Sequence, residues 1–128
     1  MTVLLDTQLL LWSQVEPHRV PDWLASLLED PEYLPYFSVI SIWEVAIKAK
    51  LKRPDFAYEP HAIKSVLIEL DWRELPLTSE HALAVYELPL LHGDPFDRAL
   101  VAQAKIEGLE FVTADRALKG YGSHIRVV

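Results

Sequence analysis

Short apolar runs alternate along the chain with longer segments in which apolar residues recur every three or four positions. The runs predict strands at residues 3–5, 36–40, 72–77, 109–113 and 125–128, of which the first is expected to be buried. The run at 72–77 contains Pro76, which predicts a weak strand or one at a sheet edge. Because helical segments separate the runs, the sequence predicts an α/β domain with a mainly parallel sheet of four to five short strands, covered on both faces.

Capping residues mark the predicted helix boundaries. Ser41 is expected to cap the third helix, and Glu44 at its third helical position completes a capping box. The dipeptide Asp94-Pro95 predicts the start of a later helix and places Asp97 at the third helical position. That helix is expected to close at Gly108. The other helices are predicted after Asp6 or Thr7, from Pro21, over 61–71, and from Thr78 or Ser79 to about Leu88.

Composition narrows the class of protein. Hydrophobic residues make up 51% and charged residues 24% of the 128 residues, which predicts a single folded domain over residues 1–128. The chain has no cysteine, so disulfides and thiolate metal sites are excluded and a reducing compartment is favoured. No signal peptide is recognised, and no apolar run has the roughly 20 residues of a membrane helix. We therefore expect a soluble cytoplasmic protein.

The net charge constrains the choice of partner. The formal value is −7, whereas a protein that binds nucleic acid over a broad surface is usually basic. Two alternatives follow from this charge. Either the partner is not a nucleic acid, or nucleic acid is bound locally with the assistance of cations.

Four acidic residues, distant in sequence, are predicted to meet at one edge of the sheet. Asp6 follows the first strand and Asp115 follows the strand at 109–113, while Glu44 and Asp97 fall in the first turns of helices. Ligands of open α/β sheets bind outside the carboxyl ends of the strands. We therefore expect these four carboxylates to line one pocket.

Clustered carboxylates raise one another's pKa, and a hard divalent cation relieves that repulsion. Mg²⁺ prefers oxygen ligands and is commonly held by a few carboxylates together with a substrate phosphate. The corresponding chemistry is hydrolysis of a phosphodiester by metal-activated water. Each acid also has a simpler interpretation. Asp6, Asp94 and Asp115 precede helices and can act as caps, and Glu44 can pair with Lys48 one turn later.

Four blocks of the sequence resemble PIN-domain proteins, and in particular the VapC-like toxins of bacterial and archaeal toxin–antitoxin pairs. The blocks occur in the family order, and the sequence Asp-Pro-Phe-Asp-Arg is the most specific of them. They are Leu4-Leu5-Asp6-Thr7, residues 41–48, His92-Gly93-Asp94-Pro95-Phe96-Asp97-Arg98 with Ala102-Gln103-Ala104, and Val112-Thr113-Ala114-Asp115.

The resemblance implies a three-layer α/β/α sandwich and a ribonuclease that depends on Mg²⁺ or Mn²⁺. By position, Asp6, Glu44 and Asp97 match the three core acids of the family, and Asp115 matches a fourth, more variable acid. Supporting roles are implied for the hydroxyls of Thr7 and Thr113 and, through capping, for Asp94. Local RNA contacts are expected from Lys48, Arg98, Arg116 and the basic run at 50–53.

The resemblance also implies partners. Such toxins form homodimers and are blocked by a cognate antitoxin whose C-terminal segment covers the pocket. Candidate anchors for it, with core packing as the alternative, are Trp12, Trp23, Trp43 and residues 9–11. The subgroup often has histidine where this chain has Gln8, which bears on substrate detail. His92 could contact RNA or transfer a proton, but it is interpreted as a loop histidine without a partner and incidental to the site.

Other functions compete with the nuclease. A phospho-acceptor receiver domain has a similar size and an acidic pocket, but it carries paired acids after the first strand, where Asp6 stands alone. A phosphatase with Asp6 as its nucleophile typically has a second aspartate two residues on, where this chain has Gln8. A catalytically idle homologue that only binds its partner is the remaining alternative.

Overall fold

The structure is a computed structural model and describes residues 2–128. The strands are β1 (Val3–Leu5), β2 (Tyr36–Ser38), β3 (Arg73–Leu75), β4 (Glu110–Thr113) and β5 (Ile125–Val127). The α-helices are α1 (Thr7–Val15), α2 (Asp22–Glu29), α3 (Val39–Lys50), α4 (Pro60–Glu69), α5 (Ser79–Glu87) and α6 (Pro95–Glu107), with short 3₁₀ helices at Pro17–Arg19 and Arg116–Tyr121. Within residues 2–128, no helix has both the length and the apolar character needed to cross a membrane.

All five strands form one parallel sheet in the order β3-β2-β1-β4-β5. The central strand β1 places Leu4 opposite Tyr36 of β2 and Phe111 of β4. The strand containing residues 73–75 lies at an edge, as the nearby proline predicts. Since every strand runs in the same direction, the carboxyl ends of β1 and β4 open side by side at one edge of the sheet.

Helices cover both faces of the sheet, which confirms the three-layer α/β/α sandwich. Side chains alternate between the faces of each strand. Leu4 and Phe111 therefore pack with α5 and α6 on one face. Val3, Leu5 and Val112 pack on the opposite face with the apolar sides of α1, α2 and α4. The two helix layers hold the sheet rigidly, so the residues that follow its strands have fixed positions.

The helix α6 begins and ends as predicted. Asp94 is its N-cap, and the side chain accepts hydrogen bonds from the backbone N–H groups of Phe96, at 2.8 Å, and Asp97. Such a cap contributes about 1 kcal/mol to stability. Gly108 closes the helix in the left-handed conformation with φ 69°, which glycine adopts at little cost. The cap thereby places Asp97 in the first turn, at the third helical position.

The boundary between β2 and α3 differs from the prediction. The strand stops at Ser38, and the Ser38 hydroxyl accepts the N–H of Ile40 at 3.0 Å as the cap of α3. Val39 and Ile40, predicted as the end of the strand at 36–40, instead form the first turn of the helix. Ser41 therefore lies inside the helix, and Glu44 sits at its sixth position rather than in its first turn. The predicted capping box between Ser41 and Glu44 is wrong.

Candidate active site

An acidic cleft opens at the carboxyl edge of the sheet. Its volume is about 410 Å³, and the four predicted acids all line it, together with Asp94. Lys48 is the one cation among the described residues that line the cleft. The other lining residues are Thr7, Gln8, Leu11, Phe56 and Ala114. The convergence predicted from the sequence is therefore present in the structure.

Asp6 is buried at the end of β1 and is held through both carboxylate oxygens. Its Oδ1 accepts the N–H of Leu9 at 2.7 Å, which makes it the N-cap of α1. Its Oδ2 accepts the Thr113 hydroxyl at 2.6 Å and the N–H of Ala114 at 3.2 Å. Burial raises the pKa of Asp6, and the nearby Glu44 adds to the shift against these hydrogen bonds. Asp6 thus caps α1 and also lines the cleft with a carboxylate that hydrogen bonds hold in place.

Asp97 carries the strongest sign of crowded negative charge. Its pKa is raised to about 7, first by burial and then by the charges of Asp94, Glu44 and Asp6, while His92 acts in the opposite direction. Without a cation, this carboxyl group is therefore partly protonated near neutral pH. A positive ion in the cleft would lower the pKa of Asp97, because it would offset the charges of the neighbouring carboxylates.

Glu44 reaches the cleft from the second turn of α3 with 4% of its surface exposed. Its Oε2 forms an ion pair with Lys48 Nζ at 2.7 Å, one turn along the helix. Its Oε1 is buried and, among residues 2–128, has no hydrogen-bond partner. A buried carboxylate oxygen without a partner is costly, and beside other carboxylates it is suited to coordinate a cation.

Asp115 also lines the cleft and caps the 3₁₀ helix that follows β4. Its Oδ1 accepts the N–H of Ala117 at 2.9 Å, and its Oδ2 lies 3.0 Å from His92 Nε2. The interpretation of His92 as a loop residue without a partner is therefore wrong. His92, Asp97 and Asp115 each present one ligand atom within 4.8 Å of the others.

The donor set fits a hard divalent cation. The acids supply carboxylate oxygens, which Mg²⁺ and Mn²⁺ prefer. The sequence has no cysteine, whose thiolate would favour a softer metal ion. The unpartnered oxygen of Glu44 and the raised pKa of Asp97 both indicate negative charge that the protein's own groups leave uncompensated.

The two threonines expected to support the acids have different roles. Thr113 donates to Asp6, and its oxygen accepts the N–H of Asp115 at 3.0 Å, so it links two acids of the cleft. The Thr7 hydroxyl instead donates to Ser41 Oγ at 3.0 Å and ties α1 to α3. The expectation that the Thr7 hydroxyl supports an acid directly is thereby corrected.

Arg98 is not available to contact RNA. It is 9% exposed, and its guanidinium donates to the carbonyls of Pro89, at 2.8 Å, and Val85 and to the Tyr121 hydroxyl. A buried guanidinium requires such partners, so Arg98 joins α6 to the segment after α5. The sequence could not distinguish this role, because a helix arginine next to an aspartate is equally suited to the surface. Arg116 and the run at 50–53 are exposed.

The apolar residues proposed as anchors for an antitoxin differ in how exposed they are. Residues 9–11 are buried in the core, so they cannot contact a partner. Trp12 and Trp23 are partly buried and lie under guanidinium groups. Trp43 is 54% exposed and meets Phe96 edge-on, with ring centroids 5.1 Å apart. Trp43 is therefore the predicted anchor with the most accessible surface.

Comparison with known proteins identifies the class to which this fold and cleft belong. A family model described as the PIN domain matches residues 3–123. The chain belongs to the PIN domain family. It is 31% identical over 121 residues to Ribonuclease VapC22 of Mycobacterium tuberculosis, an alignment that covers 94% of this chain and 92% of the relative.

Solved structures show the same fold. The chain matches a structure of VapBC2 from Rickettsia felis bound to a DNA fragment from their promoter, with a TM-score of 0.69 and 15% identity over 100% of this chain and 98% of the other. It also matches a DNA-bound VapBC from Salmonella typhimurium, with a TM-score of 0.66 and 16% identity over 100% and 97% of the two chains.

These findings exclude the alternative that the chain is a receiver domain. Receiver domains have the doubly wound strand order 2-1-3-4-5, whereas this sheet has the order 3-2-1-4-5. Together with the PIN domain match, this difference excludes the receiver architecture.

Proposed function

We propose that this protein is a metal-dependent endoribonuclease, the toxin of a toxin–antitoxin pair, and that its acidic cleft is the active site. The observation that carries the proposal is the buried, unpartnered Oε1 of Glu44, which lies in a cleft where burial and neighbouring carboxylates raise the pKa of Asp97. The relative named as a ribonuclease supports the choice of reaction.

Mg²⁺ or Mn²⁺ is the proposed cofactor, with Asp6, Glu44, Asp97 and Asp115 as its holders. When bound, such an ion supplies the positive charge that stabilises a phosphodiester transition state and makes water more acidic. The protein contributes the geometry. Thr113 and the N–H groups of residues 9 and 114 fix the Asp6 carboxylate, while the Asp94 cap fixes the backbone of Asp97.

RNA is proposed to enter along the rim of the cleft. Lys48 lies on that rim with 41% of its side chain exposed, and Arg116 is exposed just after Asp115. Two cations beside a site that itself binds a cation can hold a phosphodiester backbone despite the net charge of −7. The charge of the chain therefore favours local, cation-assisted binding.

A cognate antitoxin and a second copy of the chain are the proposed protein partners. Trp43 and Ile47 are exposed on α3, the helix that also carries Glu44 and Lys48. A segment bound to this apolar surface would lie next to the cleft. Leu83, Tyr86 and Leu90 are exposed on α5 and just beyond it, which favours a separate dimer contact.

The test is RNA cleavage by purified protein freed of its antitoxin. We expect cleavage of structured RNA with Mg²⁺ or Mn²⁺, loss of cleavage in EDTA, and a loss of at least about 100-fold in Asp97→Asn. Asp22→Asn is the matched control, because Asp22 is an exposed aspartate in the first turn of α2. Full activity of Asp97→Asn would refute the site, and an inactive wild type would indicate an idle homologue.

A further inference from the structure

His92 connects two segments that are distant in sequence. It lies in the segment before α6, and its Nδ1 accepts the backbone N–H of Asp94 at 3.1 Å. Its Nε2 lies 3.0 Å from Oδ2 of Asp115, which lies in the segment after β4. The ring is therefore held between the residue that caps α6 and an acid that is far from it in sequence.

These two contacts determine which ring nitrogen carries the proton. A backbone N–H can only donate, so the Nδ1 that faces Asp94 must present a lone pair. In the neutral ring the proton then resides on Nε2, where it can be donated to the Asp115 carboxylate. Both nitrogens of His92 are thus engaged in a consistent tautomer.

The same argument decides between two roles for His92. One of its ring nitrogens lies close enough to Asp97 and Asp115 to be a metal ligand, and Nε2 is the nitrogen beside Asp115. A ligating Nε2 needs a lone pair, however, which would move the ring proton to Nδ1 and direct it at the N–H of Asp94. The observed contact at Nδ1 therefore disfavours ligation and favours donation to Asp115.

We propose that His92 is a positioning residue that orients the Asp115 carboxylate toward the metal site by donating a hydrogen bond from Nε2, and that it does not itself bind the metal. Asp115 needs such a contact because 42% of its side chain is exposed, whereas Asp6 is buried and held through both oxygens. Outer hydrogen bonds of this kind align ligating carboxylates. The inference rests on the metal site proposed above.

Nitrogen-15 NMR of the metal-free protein tests the tautomer directly. At a pH where the ring is neutral, we expect His92 to carry its proton on Nε2 and none on Nδ1. A neutral ring protonated on Nδ1 would overturn the proposal. This measurement needs no metal and no RNA, so it is independent of the activity.

Metal binding tests the positioning role. We expect His92→Ala to weaken Mn²⁺ binding, measured by calorimetry, by about tenfold, and His92→Gln to recover most of that loss because its amide can donate to Asp115. In an Asp115→Ala background, His92→Ala should have little further effect, because the two residues act as one unit. His61→Ala is the control, since His61 is an exposed histidine on α4.

Each alternative has a distinct signature. If His92 ligates the metal, the electron paramagnetic resonance of bound Mn²⁺ shows nitrogen coupling that His92→Gln removes, and the proposal is wrong. If His92 only stabilises the loop, His92→Ala lowers the melting temperature while the Mn²⁺ affinity is unchanged, which also overturns it. If the wild type binds Mn²⁺ but cleaves no RNA, the proposed function fails while these binding tests still decide the role of His92.

Discussion

Asp97 is a carboxylate held where its charge is unfavourable. The Asp94 cap fixes its backbone at the start of α6, and burial together with neighbouring acids raises its pKa to about 7. The native protein thus maintains a crowded negative site that costs stability. Such strain is typical of groups placed for function rather than for folding.

This cost predicts a pH-dependent stability for the metal-free protein. The pKa of Asp97 is 3.8 in the unfolded chain and about 7 in the native state, so the native state binds more protons between these values. The contribution of Asp97 is therefore most favourable below about pH 4 and is lost as pH rises to about 7. Asp97→Asn removes the titrating carboxyl group, so it should remove this loss of stability with rising pH.

We expect Asp97→Asn to be more stable than the wild type at pH 7 by about 1 kcal/mol in EDTA, a value reduced for partial exposure. For a domain of this size, that is a rise of about 4 °C in melting temperature. The difference should shrink towards pH 4, and Mn²⁺ should stabilise the wild type more than the variant. A variant less stable than the wild type at pH 7 would contradict the account of Asp97.

Lys48 is a second residue with a specific prediction. Its ammonium group pairs with Glu44 Oε2 at 2.7 Å and so offsets part of the carboxylate charge that would attract a metal to Oε1. We expect Lys48→Met to bind Mn²⁺ about 5-fold more tightly, equivalent to roughly 1 kcal/mol, and to bind RNA more weakly. Calorimetry and KM measure the two effects.

Lys48→Met is expected to strengthen Mn²⁺ binding and to weaken RNA binding, and these opposite changes are the result that tests the account of Lys48. Lys105→Met is the control, because Lys105 is exposed at the far end of α6. If Lys48→Met weakened Mn²⁺ binding, the ion pair would be a support of Glu44 rather than a competitor of the metal. Unchanged RNA binding would remove Lys48 from the proposed path of the substrate.

At the level of elements, the sequence predicted most of the architecture because the central strands contain short apolar runs and most helices have recognisable caps. The sheet, the edge position of β3 and the limits of α6 follow from such local patterns. The start of α3 did not follow from the local sequence, because Ser38 and Ser41 are both suitable caps. Tertiary packing determines which of them caps the helix. In the structure, Ser38 also donates to Gln103 Oε1 of α6.

The site was predictable to the extent that its residues follow strands or begin helices. Asp6, Asp97 and Asp115 do so, and the structure places them together with Glu44. His92 could not be assigned from sequence, because its partners are a distant side chain and a backbone N–H that only the folded chain brings near. Arg98 could not be assigned either, because its burial depends on carbonyls contributed by α5 and by the segment that follows it.

The revised boundary of α3 predicts different costs for two serine substitutions. Ser38→Ala removes the cap of α3 and leaves the Gln103 oxygen without its donor, so we expect a loss of about 2–3 kcal/mol. Ser41→Ala lies inside the helix and removes one acceptor, so it should cost about 1 kcal/mol or less. Urea unfolding measures both values, and a larger loss for Ser41→Ala would restore the original assignment of the cap.

At the scale of the whole molecule, a PIN domain of net charge −7 concentrates acids at one edge of its sheet. The two helix layers fix that edge, since strands β1 and β4 deliver Asp6 and Asp115 while α3 and α6 deliver Glu44 and Asp97. The exposed Trp43 lies on the same helix as Glu44, so a partner that covers α3 can also close the cleft. Activity and inhibition are thereby proposed to share one face of the molecule.

The central claim is that four acids distant in sequence form one cation site. Crystals soaked with Mn²⁺ and measured at its absorption edge test this most directly. The account predicts an anomalous peak in the cleft within about 2.0–2.4 Å of carboxylate oxygens of Asp6 and Asp97, with Glu44 Oε1 turned to the ion or to its water. A cleft without Mn²⁺, or an ion bound elsewhere while these acids remain unliganded, would contradict it.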